Sequence, residues 1–222
     1  MLLGARQFFE KRGAPTPPLP YDYEVEYIER DYGVPWLVDG ASASGGFDLM
    51  RYVDGESFVT TTQTAEMVWS FAPEASGNRF AFRLAVNALN GGVAHFCKAN
   101  NNTTYSFGIT SGSVTTTVGD IDQFHVQKHV FDGSGNVSLY IDGSKFAELR
   151  MTTTAIKFCS LLYGPYTAGS AFRARVKSLK IDDKVDLVPV VKGNAVGFYN
   201  KVDGHLFLEE QACLSAGPVV RR

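Results

Sequence analysis

The amino-acid sequence predicts an all-β fold: a two-sheet antiparallel β-sandwich over residues 21–222, preceded by a short N-terminal arm over residues 1–20. More than a dozen short segments with alternating apolar and polar residues follow Tyr21, and turns rich in Gly, Asn or Asp separate nearly all of them. No segment after residue 20 has the apolar periodicity of a helix. Each alternating strand has one apolar face, so a second, stacked sheet is needed to cover it.

The composition suits one domain with a large core. Of the 222 residues, 45% are hydrophobic and 13% are aromatic, and no shift in composition marks a linker. The three cysteines, Cys97, Cys159 and Cys213, are too widely spaced for a disulfide framework or a metal pattern. We expect them to be buried thiols, which suits a chain that folds in a reducing cytoplasm.

The charge of the chain argues against two classes of partner. Its net charge is −2, and its Lys and Arg residues are scattered, so no nucleic-acid partner is predicted. The densest basic cluster, Arg173, Arg175 and Lys177, alternates along a predicted strand and is expected on its solvated face, with a phosphate-binding stripe as the alternative. No apolar run approaches the ~20 residues of a membrane-spanning helix, so no membrane span is predicted.

The first 20 residues differ from the rest. MLLGARQFFEKR has the pattern of a short amphipathic helix, and GAPTPPLP has the pattern of a stiff, extended spacer. This arm is either a frayed leader or a docking segment for a partner. It lacks a long apolar core and a small-residue cleavage site, so we expect no secretory signal peptide.

The sandwich is predicted to open with one half-exposed strand, YEVEYIE at residues 23–29, in which Tyr23, Val25 and Tyr27 share a face. A turn over residues 30–41, RDYGVPWLVDGA, follows this strand. Further strands are predicted at residues 65–72, 79–87, 94–99, 104–110, 113–119, 124–132, 136–142, 145–150, 156–164, 171–181, 185–191, 195–203 and 205–209.

The stretch FDGSGNVSLYIDG, from Phe131 to Gly143, is the most informative part of the chain. It predicts two strands joined by a polar turn, and the second strand ends in Asp142-Gly143, after which SKFAEL supplies a third strand. Gly-Ser-Gly and Asp-Gly adopt positive φ at little steric cost, so both turns are expected to be tight. The segment therefore predicts an antiparallel meander.

Two regions carry a resemblance to known proteins. HVFDGSGNVSLYIDGSKFAE resembles the central hairpin of laminin-G-like and concanavalin A-like lectin/glucanase jelly rolls, which implies a concanavalin A-like sandwich. LPYDYEVEYIE at residues 19–29 and the segment at 173–220 are similar to the opening and closing segments of small proteins from gut bacteria and their prophages. The residues that match the closing segment are Asp186, Leu187, Val188, Pro189, Val190, Gly197, Tyr199, Gly204, Leu206, Phe207, Gly217, Pro218 and Val219.

This resemblance implies an accessory glycan-binding or virion-surface protein. We therefore predict a non-catalytic recognition or structural module without enzymatic activity. Its expected partners are a glycan or cell-surface polysaccharide and, through residues 1–20, virion proteins. Its expected location is the virion, or the cytoplasm before assembly. A structural decoration protein without a ligand is an alternative.

Candidate glycan contacts are aromatic and amide side chains in turns, because sugars stack on aromatic faces and bond amides through their hydroxyls. Trp36, which follows Pro35 in the turn at 30–41, is expected to be exposed, whereas Trp69 is expected in the core. The candidate ligand-binding residues are Trp36, Asn100, Asn101, Asn102, Tyr105, Tyr163 and Tyr166.

The enzymatic alternative is a glycoside hydrolase of the laminarinase-like type that uses Glu24 and Glu26. Retaining hydrolysis needs two carboxyl groups about 5 Å apart on one face, and alternate strand residues share a face. The position of the pair on the first strand, without flanking Trp residues, argues against this alternative.

No cofactor or metal is predicted, with Ca²⁺ as a weak possibility because similar sandwiches often hold one at a loop rim. Calcium requires hard oxygen ligands. The candidate ligands are Asp120, Asp122, Asp182 and Asp183.

Overall fold

A computed structural model describes residues 18–43, 45–49, 63–71, 82–85, 95–101, 104–109, 112–117, 120, 122–150, 157–169 and 172–221. The described part contains strands and turns and no helix, as the sequence predicts. The strands are β1 (Tyr23–Val25), β2 (Ile28–Asp31), β3 (Trp36–Val38), β4 (Ala41–Ala43), β5 (Gly45–Asp48), β6 (Gln63–Phe71), β7 (Phe82–Ala85), β8 (His95–Asn101), β9 (Thr104–Ile109), β10 (Gly112–Thr117), β11 (His125–Phe131), β12 (Asn136–Ile141), β13 (Ser144–Arg150), β14 (Lys157–Gly164), β15 (Arg173–Ile181), β16 (Val185–Lys192), β17 (Ala195–Asn200), β18 (Leu206–Glu209), β19 (Leu214–Ala216) and β20 (Val219–Arg221).

The strands form two large antiparallel sheets and one separate hairpin. The larger sheet has the order β13-β12-β11-β6-β15-β16-β1-β20; in addition β2 joins β15 to β19, and β17 joins β16 to β18. The smaller sheet has the order β10-β9-β8-β7-β14-β5. The hairpin consists of β3 and β4, and its turn at Asp39-Gly40 has φ of 49° and 79°. The smaller sheet ends at β5, next to this hairpin in the chain.

The hydrophobic core lies between the two sheets and joins them. Phe47 of the smaller sheet packs edge-on against Phe198 of the larger sheet, with ring centroids 5.1 Å apart. Trp69 is fully buried, and its ring centroid lies 4.5 Å from that of Phe71, which confirms the predicted place of Trp69 in the core. Burial of such large apolar side chains is the main favourable term in folding. The predicted all-β antiparallel sandwich is therefore confirmed.

The opening segment differs from the prediction of one strand over 23–29. The strand is interrupted at Glu26 and Tyr27. As a result, β1 pairs with β16 and β20, whereas β2 pairs with β15 and β19. The break shifts the alternation by one residue, because Val25 and Ile28 both face the core. The residues that follow on the inward face of β2 therefore include a charged one, Arg30.

The central meander has the predicted turns. Asp142 and Gly143 have φ of 49° and 81°, as in a two-residue hairpin of the type I′ class. In the preceding turn, the Asp132 carboxylate accepts hydrogen bonds from the N–H groups of Ser134 at 2.7 Å and Asn136 at 3.0 Å. The side-chain amide of Asn136 and these N–H groups lower the pKa of Asp132 below its ordinary value. The side chain of Asp132, the first residue of the turn, thus stabilises the turn through local hydrogen bonds.

Three predictions concern the arm, the thiols and the membrane. Residues 1–17 of the predicted arm lie outside the described residues. Cys213 is a buried free thiol, as predicted, and burial raises its pKa above the ordinary value. The side chains of Cys97 and Cys159 lie outside the description. No described helix has the length and apolar character needed to cross a bilayer.

Candidate functional site

A groove of about 430 Å³ lies between the β3–β4 hairpin and the edge of the smaller sheet formed by β5 and β14. Its walls combine aromatic rings, carboxylates, an amide and a hydroxyl. They are formed by residues 36–39, Gly45, Gly46, Asp48, Ser160, Tyr163, Glu209 and Gln211. Two sequence-predicted ligand residues, Trp36 and Tyr163, are thereby brought into one site although they are far apart in the chain.

Trp36 forms one wall of the groove from a buried position. Its ring lies directly on Gly45, where an added Cβ would come within 2.1 Å of the Trp36 ring. It also packs edge-on against Phe47, with centroids 5.9 Å apart. Only 3% of its surface is exposed, so the prediction that Trp36 is exposed is wrong. The glycine at position 45 explains the burial, because its lack of a side chain lets the indole lie on the strand.

Tyr163 owes its orientation to an irregularity in β14. The pairing of β14 with β5 shifts register between Leu161 and Gly164, and Leu162 has φ of 50°. A left-handed conformation at a bulky residue costs of the order of 1–3 kcal/mol, so surrounding contacts must hold it. Bulges of this kind change the direction of side chains and are frequent at binding sites. Tyr163 lies inside the irregularity and lines the groove, half-buried.

Arg30 lies beneath the groove and is completely buried. Its guanidinium donates hydrogen bonds to the carbonyls of Gly45 and Leu162, and to the carbonyl of Gly164 at 2.7 Å. It also contacts the Tyr32 and Trp36 rings, with the guanidinium carbon 4.4 and 5.1 Å from their centroids. Arg30 belongs to the larger sheet and its three acceptors to the smaller sheet, so it joins the two sheets below the site.

A second polar contact fixes the hairpin from the side. Gln211 donates its side-chain N–H to the Leu37 carbonyl and accepts a hydrogen bond from the Leu37 N–H, both at 3.0 Å. The amide therefore bonds β3 as a neighbouring strand would. Leu37 and Val38, at the rim of the groove, are 47% and 49% exposed.

Asp48 and Ser160 supply polar groups on the floor of the groove. They are direct partners in the β5–β14 register, so their side chains lie on the same face of the smaller sheet. Ser160 is 2% exposed, and its hydroxyl has no hydrogen-bond partner within the described part of the chain. A buried hydroxyl without a partner costs about 1–3 kcal/mol, which is unusual unless a ligand or solvent satisfies it.

Of the other predicted ligand residues, only the side chain of Tyr166 lies in the described part of the chain. Tyr166 is half-buried just after β14 and does not line the groove. Asn100 and Asn101 end β8, and Tyr105 belongs to β9, on the far side of β7 from β14. Their side chains, and Asn102 entirely, lie outside the description.

Glu24 and Glu26, the carboxylates of the glycoside hydrolase alternative, line a separate groove of about 410 Å³ with Val188 and Pro189. Both carboxylates have structural partners there. Tyr21 donates its hydroxyl hydrogen to Glu24 at 2.6 Å, and the Lys177 ammonium pairs with Glu26 at 2.8 Å. Groups held in this way do not form the freely opposed acid and nucleophile of a retaining hydrolase.

The basic cluster at 173–177 forms ion pairs on the outer face of the larger sheet. Arg175 pairs with Glu29 at 2.6 Å, and Arg173 pairs with Asp31 at 3.3 Å. Partial burial opposes the charged form of Arg175, but the hydrogen bond and charge of Glu29 raise its pKa above the ordinary value. Each cation already has a carboxylate, so the alternative of a phosphate-binding stripe loses its support.

Among the candidate calcium ligands, Asp182 has a structural hydrogen bond. Asp182, at φ 47°, accepts the N–H of Thr64 at 2.8 Å and so closes a turn against β6. Asp183 is an exposed neighbour in that turn. A hydrogen bond to Asp122 and the charge of that residue raise the pKa of Asp120. Within the described residues no three acidic, His or Cys side chains come together as a metal site.

Comparisons with known proteins identify the fold. No family model and no curated protein matches the sequence. Alginate lyase A1-II′, a member of polysaccharide lyase family 7, superposes with a TM-score of 0.51 at 11% identity, covering 69% of this chain and 77% of the lyase. At that identity the likeness shows the fold: the chain is a jelly-roll β-sandwich, compatible with the predicted concanavalin A-like fold.

Two further solved structures are similar at lower scores. The CBM40 module of the Ruminococcus gnavus IT-sialidase, bound to α2,3-sialyllactose, has a TM-score of 0.45 at 11% identity, covering 69% of this chain and 90% of the module. The marine PL7 alginate lyase AlyA1 from Zobellia galactanivorans has a TM-score of 0.41 at 20% identity. The match covers 65% of this chain and 66% of that chain, just under two thirds of the lyase.

The prediction that the protein is not an enzyme is corrected by the comparison with A1-II′. It rested on the resemblance to accessory glycan-binding or virion-surface proteins, which implied a binding module. A1-II′ has the same fold and is a polysaccharide lyase, so the fold gives no ground for excluding catalysis.

Several groove residues were missed by the sequence analysis. Asp48, Ser160, Glu209 and Gln211 stand in segments without a motif. One signal was present: adjacent glycines at 45 and 46 within a strand indicate close approach of another group. An added Cβ at Gly46 would come within 2.7 Å of the Leu161 carbonyl oxygen.

Proposed function

We propose that this protein binds a polysaccharide in the groove between the β3–β4 hairpin and strands β5 and β14. The observation that carries the proposal is the convergence of Trp36 and Tyr163 with carboxylate, amide and hydroxyl groups in one concave site. Its volume of about 430 Å³ falls within the range of roughly 300–1,000 Å³ typical of ligand pockets. The A1-II′ structure, a polysaccharide lyase with the same fold, supports a carbohydrate ligand.

The chemistry of the groove matches that of a sugar. A pyranose ring has apolar C–H faces, which pack on an aromatic ring such as Tyr163, and a rim of hydroxyl groups. Asp48 and Glu209 are acceptors for those hydroxyls, and the Ser160 hydroxyl both donates and accepts. A sugar hydroxyl that reached Ser160 would satisfy the polar group that has no partner among the described residues.

Affinity electrophoresis tests the proposal with matched variants. The protein is run in native gels that contain alginate, a mixed-linkage β-glucan or a sialylated polysaccharide. We expect at least one polymer to retard the wild type, and Tyr163→Ala to weaken that binding about tenfold through loss of the aromatic contact. Tyr166→Ala is the control, because Tyr166 is a half-buried neighbour outside the groove. No retardation in any gel, or equal losses in both variants, would contradict the proposal.

A second candidate function is cleavage of the bound polysaccharide by elimination. The observation that favours it is the polysaccharide lyase with the same fold. In a uronate polymer, a base removes the proton from the carbon next to the carboxyl group, the electron pair of that C–H bond forms a C=C double bond as the adjacent C–O bond to the glycosidic oxygen breaks, and an acid protonates that oxygen. The Tyr163 phenol and the Asp48 and Glu209 carboxylates are groups of the kinds that perform such proton transfers.

An ultraviolet assay for the unsaturated product of alginate tests this candidate. Tyr163→Phe keeps the ring and removes the hydroxyl, so elimination that uses the phenol loses turnover while binding in the gel remains. Absence of product from the wild type overturns this candidate and leaves binding as a separate result. The predicted attachment to a virion through residues 1–20, and the predicted location, stay predictions.

A further inference from the structure

We propose that Arg30 is the positioning residue of the groove: it fixes the buried Trp36 ring that backs one wall, and it fixes Tyr163 in the orientation that a bound polysaccharide contacts. This inference rests on the proposed function for its ligand and on the contacts of Arg30 for its geometry. Arg30 does not touch the ligand, because it is completely buried.

The first step of the argument concerns Tyr163. The carbonyls of Leu162 and Gly164, on either side of it, both accept hydrogen bonds from the Arg30 guanidinium. They lie where the β5–β14 register shifts. A planar guanidinium bonds several carbonyls in fixed directions, which the point charge of a lysine cannot do. Arg30 therefore holds the irregular backbone on which the Tyr163 ring is mounted.

The second step concerns Trp36. The guanidinium carbon lies 5.1 Å from the Trp36 ring centroid, and the guanidinium also bonds the carbonyl of Gly45, on which that ring lies. The attraction of a cation for an aromatic face is strong where both groups are removed from water. One side chain thus sets the positions of both aromatic walls.

The third step is the energetic logic. The hydrogen-bond acceptors of Arg30 in the described part are carbonyl oxygens, and no described carboxylate pairs with it. A buried cation is costly to keep, and an apolar side chain of similar size often serves stability as well. A role in orienting the site accounts for an arginine at this position of a core-facing strand.

The test reads the position of Trp36 without any ligand. The chain has two tryptophans, so Trp69→Phe leaves Trp36 as the single reporter. We measure acrylamide quenching of its fluorescence in this background for Arg30→Met, Arg30→Lys and Leu139→Ala. Leu139 is a core residue of β12, and its variant controls for lost stability. Quenching should rise at least about threefold in Arg30→Met, rise less in Arg30→Lys, and stay unchanged in Leu139→Ala, because buried indoles are poorly accessible to solutes.

A second readout is binding to the polysaccharide gels used above, one of which contains alginate. At matched thermal stability, Arg30→Met should weaken binding at least about tenfold more than Leu139→Ala. If Arg30→Met does not fold, Arg30→Lys provides both measurements. Unchanged quenching in the folded Arg30 variants overturns the positioning role, whatever the binding result. Raised quenching without wild-type binding to any gel supports the positioning role and contradicts the proposed function.

Discussion

The side chain of Gln211 bonds both the N–H and the carbonyl of Leu37, so one amide fastens the hairpin that forms a wall of the groove. The two residues are 174 positions apart in the chain. In the described residues the hairpin is a two-stranded sheet of its own. A short hairpin is marginally stable by itself, so its position depends on such contacts.

Gln211→Ala should therefore weaken binding more than it lowers stability. Two neutral hydrogen bonds of roughly 0.5–1.5 kcal/mol each contribute about 1–3 kcal/mol together, which corresponds to a loss of affinity between about fivefold and about 150-fold if the hairpin loosens. Affinity is measured in the polysaccharide gel and stability by thermal melting. Gln123→Ala, at an exposed position, is the control. Equal affinities for the two variants would show that the contact does not shape the site.

Gly45→Ala should displace Trp36. The new Cβ would come within 2.1 Å of the indole, and overpacking of this kind costs typically 1–3 kcal/mol. The free energy of unfolding is measured by denaturant titration for the single variants and for Gly45→Ala combined with Trp36→Ala. The cost of Gly45→Ala should shrink by at least about 0.5 kcal/mol when the indole is absent. Strict additivity would rule out the clash as its cause.

Asp132→Ala should destabilise the central turn in a pH-dependent way. The folded-state pKa of Asp132 is lowered by Asn136 and Ser134, so its contribution is present above the unfolded pKa of about 3.9 and is lost as the pH falls through the folded value. The difference in melting temperature from the wild type should be largest near neutral pH and vanish in strong acid. Glu210→Ala, at an exposed position, is the control. A difference that is constant with pH would assign the effect to the turn shape alone.

Glu29→Gln should lower stability more than Glu148→Gln. The Glu29 side chain is 14% exposed and holds Arg175, whereas the Lys145–Glu148 pair is largely solvated. Loss of the charged contact to Arg175 should cost roughly 1–2 kcal/mol after solvent screening, and the exposed pair should give no measurable change. Denaturant titrations at low and high salt provide the comparison. Indistinguishable variants would mean that the ion pairs on this face contribute nothing.

The sequence predicted those parts of the fold that depend on local physics. The turn at Asp142-Gly143 and the meander around it follow from residues that tolerate positive φ. The buried face of a strand was harder to predict. In β11 the buried face consists of Gln127, His129 and Phe131, and Gln127 donates an amide hydrogen to the His129 ring at 2.6 Å. Alternation alone would favour the face of Val126 and Val130.

The site was predicted only in part, for a physical reason. Trp36 and Tyr163, which line the groove, were among the predicted ligand residues because aromatic side chains in turns can stack on sugars. Their partners Gln211 and Ser160 are common residue types, and only the long-range pairing of strands brings them together. The one-residue shift in alternation between β1 and β2 places Arg30 on the core-facing side. That shift depends on hydrogen bonds and strand pairing with residues 214–218, near the C-terminus. No local pattern contains that information.

A crystal structure of the protein with an oligosaccharide cut from the retarding polymer tests the central claim most directly. We predict a sugar ring on Tyr163, between the hairpin and Asp48, with a hydroxyl within hydrogen-bond distance of Asp48, Ser160 or Glu209. A sugar bound instead beside Glu24 and Glu26, or at residues 100–105, with the groove empty, would contradict the assignment of the site.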